Sequence, residues 1–115
     1  MAGTKKKLHV LIERENGVYN AVCLEMGLTA AGPDLDAVID DMLAVIRAHV
    51  EHCLEQRRPQ DIFVPAAPEE WLKYYGAARR PRKKVERRIR SFSTLPRLQA
   101  FNPASIDTSP EFLFA

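Results

Sequence analysis

Residues 32–58 constrain the fold more than any other stretch. Leu35, Val38, Ile39, Met42, Val45, Ile46, His49, Val50 and Cys53 recur at three- and four-residue steps, which lines them along one face of a helix. Asp36, Asp40, Asp41, Arg47, Glu51, Glu55 and Gln56 fall on the other side. Asp34 stands where an N-cap carboxylate accepts unpaired backbone N–H groups, and Asp36 adds negative charge to the first turn. Arg57 and Arg58 lie near the negative end of the dipole, and Pro59 is expected to stop the helix. The result is a rod of roughly 35 Å. An isolated amphipathic rod is marginal in water, so the rest of the chain must cover its apolar stripe.

The cover is legible upstream. Residues 8–13 alternate as a strand, with Leu8, Val10 and Ile12 on one face and His9, Leu11 and Glu13 on the other. Asn16-Gly17 is the pair best suited to a type I′ turn, because both residues tolerate positive φ. A second strand over 18–25 follows. A two-residue loop pairs Glu15 with Val18, Glu13 with Asn20, Leu11 with Val22 and His9 with Leu24, and register fixes the faces. Leu8, Val10, Ile12, Tyr19, Ala21 and Cys23 then form the natural cover for the helix. The opposite face carries His9, Leu11, Val22 and Leu24 beside Glu13 and Asn20, and is too apolar to be wholly wet. Met26-Gly27 breaks the second strand, and residues 28–31 read as a short third one.

After Pro59, residues 61–64 (Asp-Ile-Phe-Val) are a four-residue strand candidate bracketed by prolines. Residues 68–76 read as a short helix, with proline at its first position, Glu69 and Glu70 at its N-terminus and Gly76 at its C-terminal end. Trp71, Leu72 and Tyr75 are expected on its inward face. From Ala77 the character changes. Arg79, Arg80, Arg82, Lys83, Lys84, Arg87, Arg88 and Arg90 form a charge run, and Val85, Ile89 and Phe92 fit a helix about as well as a strand. Pro96, Pro103 and Pro110 exclude a long helix beyond. The final residues 111–115 are apolar for a free terminus and are expected to dock. No internal repeat is present.

The fold class implied is α+β: a three-stranded antiparallel meander packed on one long helix, with a short fourth strand and a short second helix. The domain reading is an α+β body over 1–76 and a basic, proline-containing extension over 77–115. The net charge of +2 hides an asymmetry, since residues 1–75 hold 8 Lys/Arg against 12 Asp/Glu and residues 76–115 hold 9 against 3. An acidic body with a basic tail is a statement about partners. No run approaches the length of a membrane span, and the N-terminus lacks the apolar region of a secretory signal, so no membrane association and a cytoplasmic location are expected. Cys23 and Cys53 form no CxxC and read as small core residues in a reducing compartment.

Three stretches resemble the HicB-like antitoxins of bacterial toxin–antitoxin pairs. They are Leu8-His9-Val10-Leu11-Ile12-Glu13, then Gly17-Val18-Tyr19-Asn20-Ala21, then Cys23-Leu24-Glu25-Met26-Gly27-Leu28-Thr29-Ala30-Ala31-Gly32. The start of the long helix and the run Asp61-Ile62-Phe63-Val64-Pro65-Ala66-Ala67-Pro68-Glu69-Glu70-Trp71 fit as well, so the resemblance covers residues 6–76. It implies a truncated ribonuclease H-like layer with no catalysis, binding and masking a small mRNA-cleaving toxin of the HicA kind. Longer family members carry a C-terminal DNA-binding domain. The family's helix start usually reads Gly-x-Thr-x-Glu-Glu-Ala, whereas Gly32-Pro33-Asp34-Leu35-Asp36-Ala37-Val38 keeps a cap and lacks the reciprocal glutamate. Residues 77–115 cannot supply two DNA-reading helices between their prolines.

No catalytic residue, cofactor site or metal site is expected. His49 and Cys53 are four residues apart, but His52 points away from them and no fourth ligand is in register. His9 has no nucleophile beside it in the expected pairing. Asp40 and Asp41 are adjacent on a helix and point apart, which does not suit a Mg²⁺-dependent hydrolase. Trp71, Tyr74 and Tyr75 read as anchors of a short helix before they read as base-stacking platforms. The expected partner surface is Leu11, Val22 and Leu24 on the second sheet face, covered by the tail, by a second copy in a homodimer or higher homo-oligomer, or by a toxin. The alternative function is a nucleic-acid-binding regulator that uses the basic run from Arg79 to Arg90.

Overall fold

A computed structural model describes residues 6–79, 87–89 and 105–114 of the chain. Its first three strands are β1 (His9–Glu15), β2 (Val18–Cys23) and β3 (Leu28–Gly32), an antiparallel meander in sequence order. The β1–β2 turn has Asn16 at φ 53° and Gly17 at φ 76°, the positive values a type I′ turn requires. The register follows from it: Glu15 opposes Val18, Glu13 opposes Asn20 and Leu11 opposes Val22. Leu24 continues the ladder by donating its backbone N–H to the His9 carbonyl at 2.9 Å.

Helix α1 (Leu35–Glu55) lies across the first sheet face. Its Val38, Ile39, Met42, Ile46, Val50 and Cys53 meet Leu8, Val10, Ile12, Ala21 and Cys23 in one core. Leu43 and Leu54 are also buried, so the stripe is wider than the expected one. Both helix ends differ from expectation. Asp34 is the N-cap residue, but its side chain makes no capping hydrogen bond; only its carbonyl is used, accepting from Val38 at 3.0 Å. The other end is not set by Pro59. Arg57 adopts φ 57°, Arg58 N–H donates to the Cys53 carbonyl at 2.8 Å, and Arg57 N–H donates to the Leu54 carbonyl at 3.0 Å. That pair of bonds is a Schellman motif with arginine in the left-handed position.

The fourth strand is not at 61–64. Pro59–Asp61 form a single 3-10 turn, and Ile62 then drops its side chain into the α1 core while the chain stays irregular. The flanking prolines contribute no N–H to a ladder. The edge of β1 is already taken by β4 (Glu111–Phe114), which runs parallel to it, pairing Val10 with Phe112 and Leu11 with Leu113. The sheet is therefore mixed and four-stranded, in the order β3-β2-β1-β4.

Helix α2 (Pro68–Ala78) begins with proline at its first turn followed by Glu69 and Glu70, as the sequence suggests, and continues through Gly76. The division at residue 76 falls inside this helix. Described parts of the extension pack on the body: Ile89, Ile106 and Phe112 belong to the α1 core, and Ile89 N–H donates to the Thr108 carbonyl at 2.8 Å. The molecule is thus α+β, with two helices and one mixed sheet. Among the described residues no helix is long and apolar enough to cross a membrane.

Candidate functional site

The second sheet face is closed, not open. Leu11, Leu24 and Leu113 are buried there with Ala77 of α2, and Val22, Ala66, Trp71 and Tyr74 pack around them, half-buried. Leu11 and Leu24, expected at a partner or oligomer surface, are buried in this layer by the chain itself, and Val22 is partly covered. The cover comes from α2, while Leu113 of β4, a strand of the same sheet, extends the apolar layer beneath it. Ala66 N–H donates to the Leu24 carbonyl at 2.8 Å, which starts α2 directly above the strand.

The phase of α2 also differs from expectation. Trp71 and Tyr74 turn inward, whereas Leu72 is 70% exposed and Tyr75 56% exposed. The sequence offers two stripes of similar weight, Trp71/Tyr74/Ala77 and Leu72/Tyr75. The sheet selects the first because flat rings with small Ala77 beside them sit close to the leucines. Tyr74 meets the ring of His9 edge-on at 5.3 Å and that of Trp71 at 6.0 Å.

At the rim of this layer is a polar cluster centred on His9. Glu25, 9% exposed, accepts the His9 backbone N–H through Oε1 at 2.7 Å and faces His9 Nδ1 through Oε2 at 2.8 Å. Glu111 Oε2 lies 3.5 Å from His9 Nε2. The histidine thus joins the β2–β3 turn, β1 and β4. Its two ring nitrogens face carboxylates, so the cluster is built as a polar fastener that satisfies a buried carboxylate. Sequence reading found His9 but neither partner; Glu25 looked like an ordinary strand residue, and nothing local ties Glu111 to position 9. A second tie is exposed: Lys73 Nζ is 3.0 Å from Glu13 Oε1 and 3.7 Å from Glu70 Oε1, and these carboxylates hold the ammonium above its ordinary pKa.

The remaining candidates do not converge. His49 Nε2 donates to the Ile62 carbonyl at 3.0 Å, fixing the irregular segment to α1, with Cys53 Sγ 3.9 Å from its ring nitrogens. His52 is exposed. Among the described residues no group of three or more His, Cys, Asp or Glu is placed to hold a metal ion. Both thiols are free and buried. Burial, with the Glu25 charge adding to it, pushes Cys23 up to about 12; burial and Asp61 raise Cys53 as well. Thiols kept protonated in this way make poor nucleophiles.

Of the basic run, Arg79 and Arg88 are exposed, while Arg87 is engaged by the protein's own surface. Its guanidinium donates to Asp40 Oδ1 at 2.8 Å and Asp36 Oδ1 at 3.2 Å on α1. Arg80, Arg82, Lys83, Lys84 and Arg90 lie outside the described residues. The free margin of the sheet is β3, which pairs only with β2 among the described residues and carries Thr29 and Ala31 exposed. Compared with known families, curated proteins and solved structures, the chain matches none of them.

Proposed function

We propose that this chain is a non-catalytic, antitoxin-type binding protein of the HicB-like kind, acting in the bacterial cytoplasm by masking a small mRNA-cleaving toxin. The reading rests on one observation, the sequence resemblance over residues 6–76. The α+β body is compatible with it: a meander in sequence order, a long helix on one face and a short helix after it. β3 is the margin offered to the partner. Its five residues, Leu-Thr-Ala-Ala-Gly, carry no charge and no proline, so the edge lacks the usual devices that block strand addition. A partner strand added there gains main-chain hydrogen bonds and a continuous sheet.

The test is co-expression with a small basic HicA-type ribonuclease from the same genome. Co-purification and loss of mRNA cleavage are expected, and Thr29→Lys with Ala31→Lys should release both. Undiminished cleavage with no co-purification overturns the reading. The nucleic-acid alternative separates in the same preparation: phosphate contacts through the basic run would give binding to RNA or DNA that falls steeply with salt.

A further inference from the structure

Among the described residues, the outward face of α2 carries the two most exposed large apolar side chains, Leu72 and Tyr75. Tyr74 points at the sheet, so the direction opposite it, at about 100° per residue, falls midway between Leu72 and Gly76. Glu69, Leu72, Lys73, Tyr75, Gly76 and Arg79 line that side, and all are exposed. Gly76 has no local reason to be glycine. It lies inside the helix without positive φ, and a Cβ built on it meets nothing within 4 Å. A glycine there costs helix stability relative to alanine, so the notch beside Leu72 and Tyr75 is unused by a single copy.

We infer that α2 pairs antiparallel with α2 of a second copy of this chain, forming a symmetric homodimer. The face is self-complementary about residue 74. A two-fold axis there sets Leu72 of each copy against the Gly76 notch of the other. The same axis sets Glu69 level with Arg79. Acidic residues occupy the helix N-terminus and a basic residue its C-cap, so the antiparallel pairing brings opposite charges together at both ends, and a parallel one would not. The contact is short, roughly 16 Å of helix. A dimer of micromolar strength is therefore expected, as for interfaces below about 1,200 Å².

This surface is separate from β3 and does not depend on toxin binding. The test is sedimentation equilibrium of the full chain over a wide concentration range. Dimerisation should weaken about tenfold in Glu69→Arg and in Arg79→Glu, which set like charges together twice per dimer, and return to within about twofold in the double reversal. Gly76→Leu should abolish dimerisation while the single copy keeps its circular dichroism and melting temperature. A chain that stays monomeric into the millimolar range overturns the proposal. A dimer indifferent to the charge reversals and to Gly76→Leu overturns it equally, because it would be built elsewhere.

Discussion

Gly27→Ala tests how the irregular segment after α1 is seated. Gly27 has φ +66°, and a Cβ added there would lie 2.9 Å from the Val64 carbonyl oxygen and 3.9 Å from that of Pro65. Two penalties combine. An alanine in the left-handed region costs about 1–2 kcal/mol, offset by about 0.4–1 kcal/mol because alanine restricts the unfolded chain. The second penalty is steric, and the Val64 carbonyl cannot simply slide away. Two residues before it Ile62 is fully buried, and two residues after it Ala66 is hydrogen-bonded to Leu24. Relieving the contact means losing that bond, about 1–1.5 kcal/mol. The net expectation is a loss of about 2 kcal/mol. Gly17→Ala is the control, since Gly17 has φ +76° with nothing within 4 Å; it should lose only about 1 kcal/mol. Urea unfolding at low protein concentration measures both, with m-values unchanged. Equal losses in the two variants would refute the reasoning, because the segment over Gly27 would then exert no constraint.

Arg57→Gly should stabilise the protein by about 1 kcal/mol, since glycine holds the left-handed C′ position without a Cβ penalty; an unchanged or lower urea midpoint would mean that α1 does not end in this motif. Leu113→Ala should cost about 3 kcal/mol in the same assay, the usual result for a buried leucine, and a change under about 0.5 kcal/mol would mean that β4 is not seated against the sheet. Cys23 links stability to alkaline pH. Its folded pKa is raised from 9.0 to about 12, so the folded chain keeps a proton that the unfolded chain gives up. Its contribution is complete below pH 9 and declines as pH rises toward 12, by roughly 1.4 kcal/mol at pH 10. Urea midpoints of wild type and Cys23→Ala across pH 8–10 check the slope, which should be shallower in the variant.

What was legible in the sequence was local or periodic. Asn16-Gly17 dictates a turn of two residues, and that turn alone fixes which of Leu11 or Ile12 faces α1. The apolar stripe from Val38 to Cys53 dictates the helix. The fourth strand was not legible because two four-residue runs compete for the same edge, Asp-Ile-Phe-Val at 61–64 and Glu111–Phe114. Length, flanking prolines and apolar content barely distinguish them. Position decides: β4 lies parallel to β1, sending Phe112 to one face and Leu113 to the other, whereas Ile62 leaves the α1 end too near the core to run out along the sheet. The phase of α2 failed for a similar reason, since Trp71, Leu72, Tyr74 and Tyr75 satisfy two helical faces. The His9 cluster joins three distant parts of the chain, and no periodicity announces such a contact.

The two sheet faces are closed by very different means, and that difference bears on where partners attach. α1 buries eight residues over 21, and Ile62, Ile89 and Ile106 add to the same core. α2 buries only Ala77 completely and relies on Leu113 from the far end of the chain to finish the layer. The stretch after residue 76, whose basic character suggested nucleic acid, supplies several structural parts among its described residues: Ile89 and Ile106 in the α1 core, Arg87 on Asp36 and Asp40, and β4 on β1. Among the described residues, the large apolar side chains left exposed are Leu72 and Tyr75 on α2, Val64 and Val18, and β3 pairs only with β2. The proposed copy–copy contact on α2 and the proposed strand addition at β3 therefore draw on different elements and different chemistry, side chains in the first case and main chain in the second.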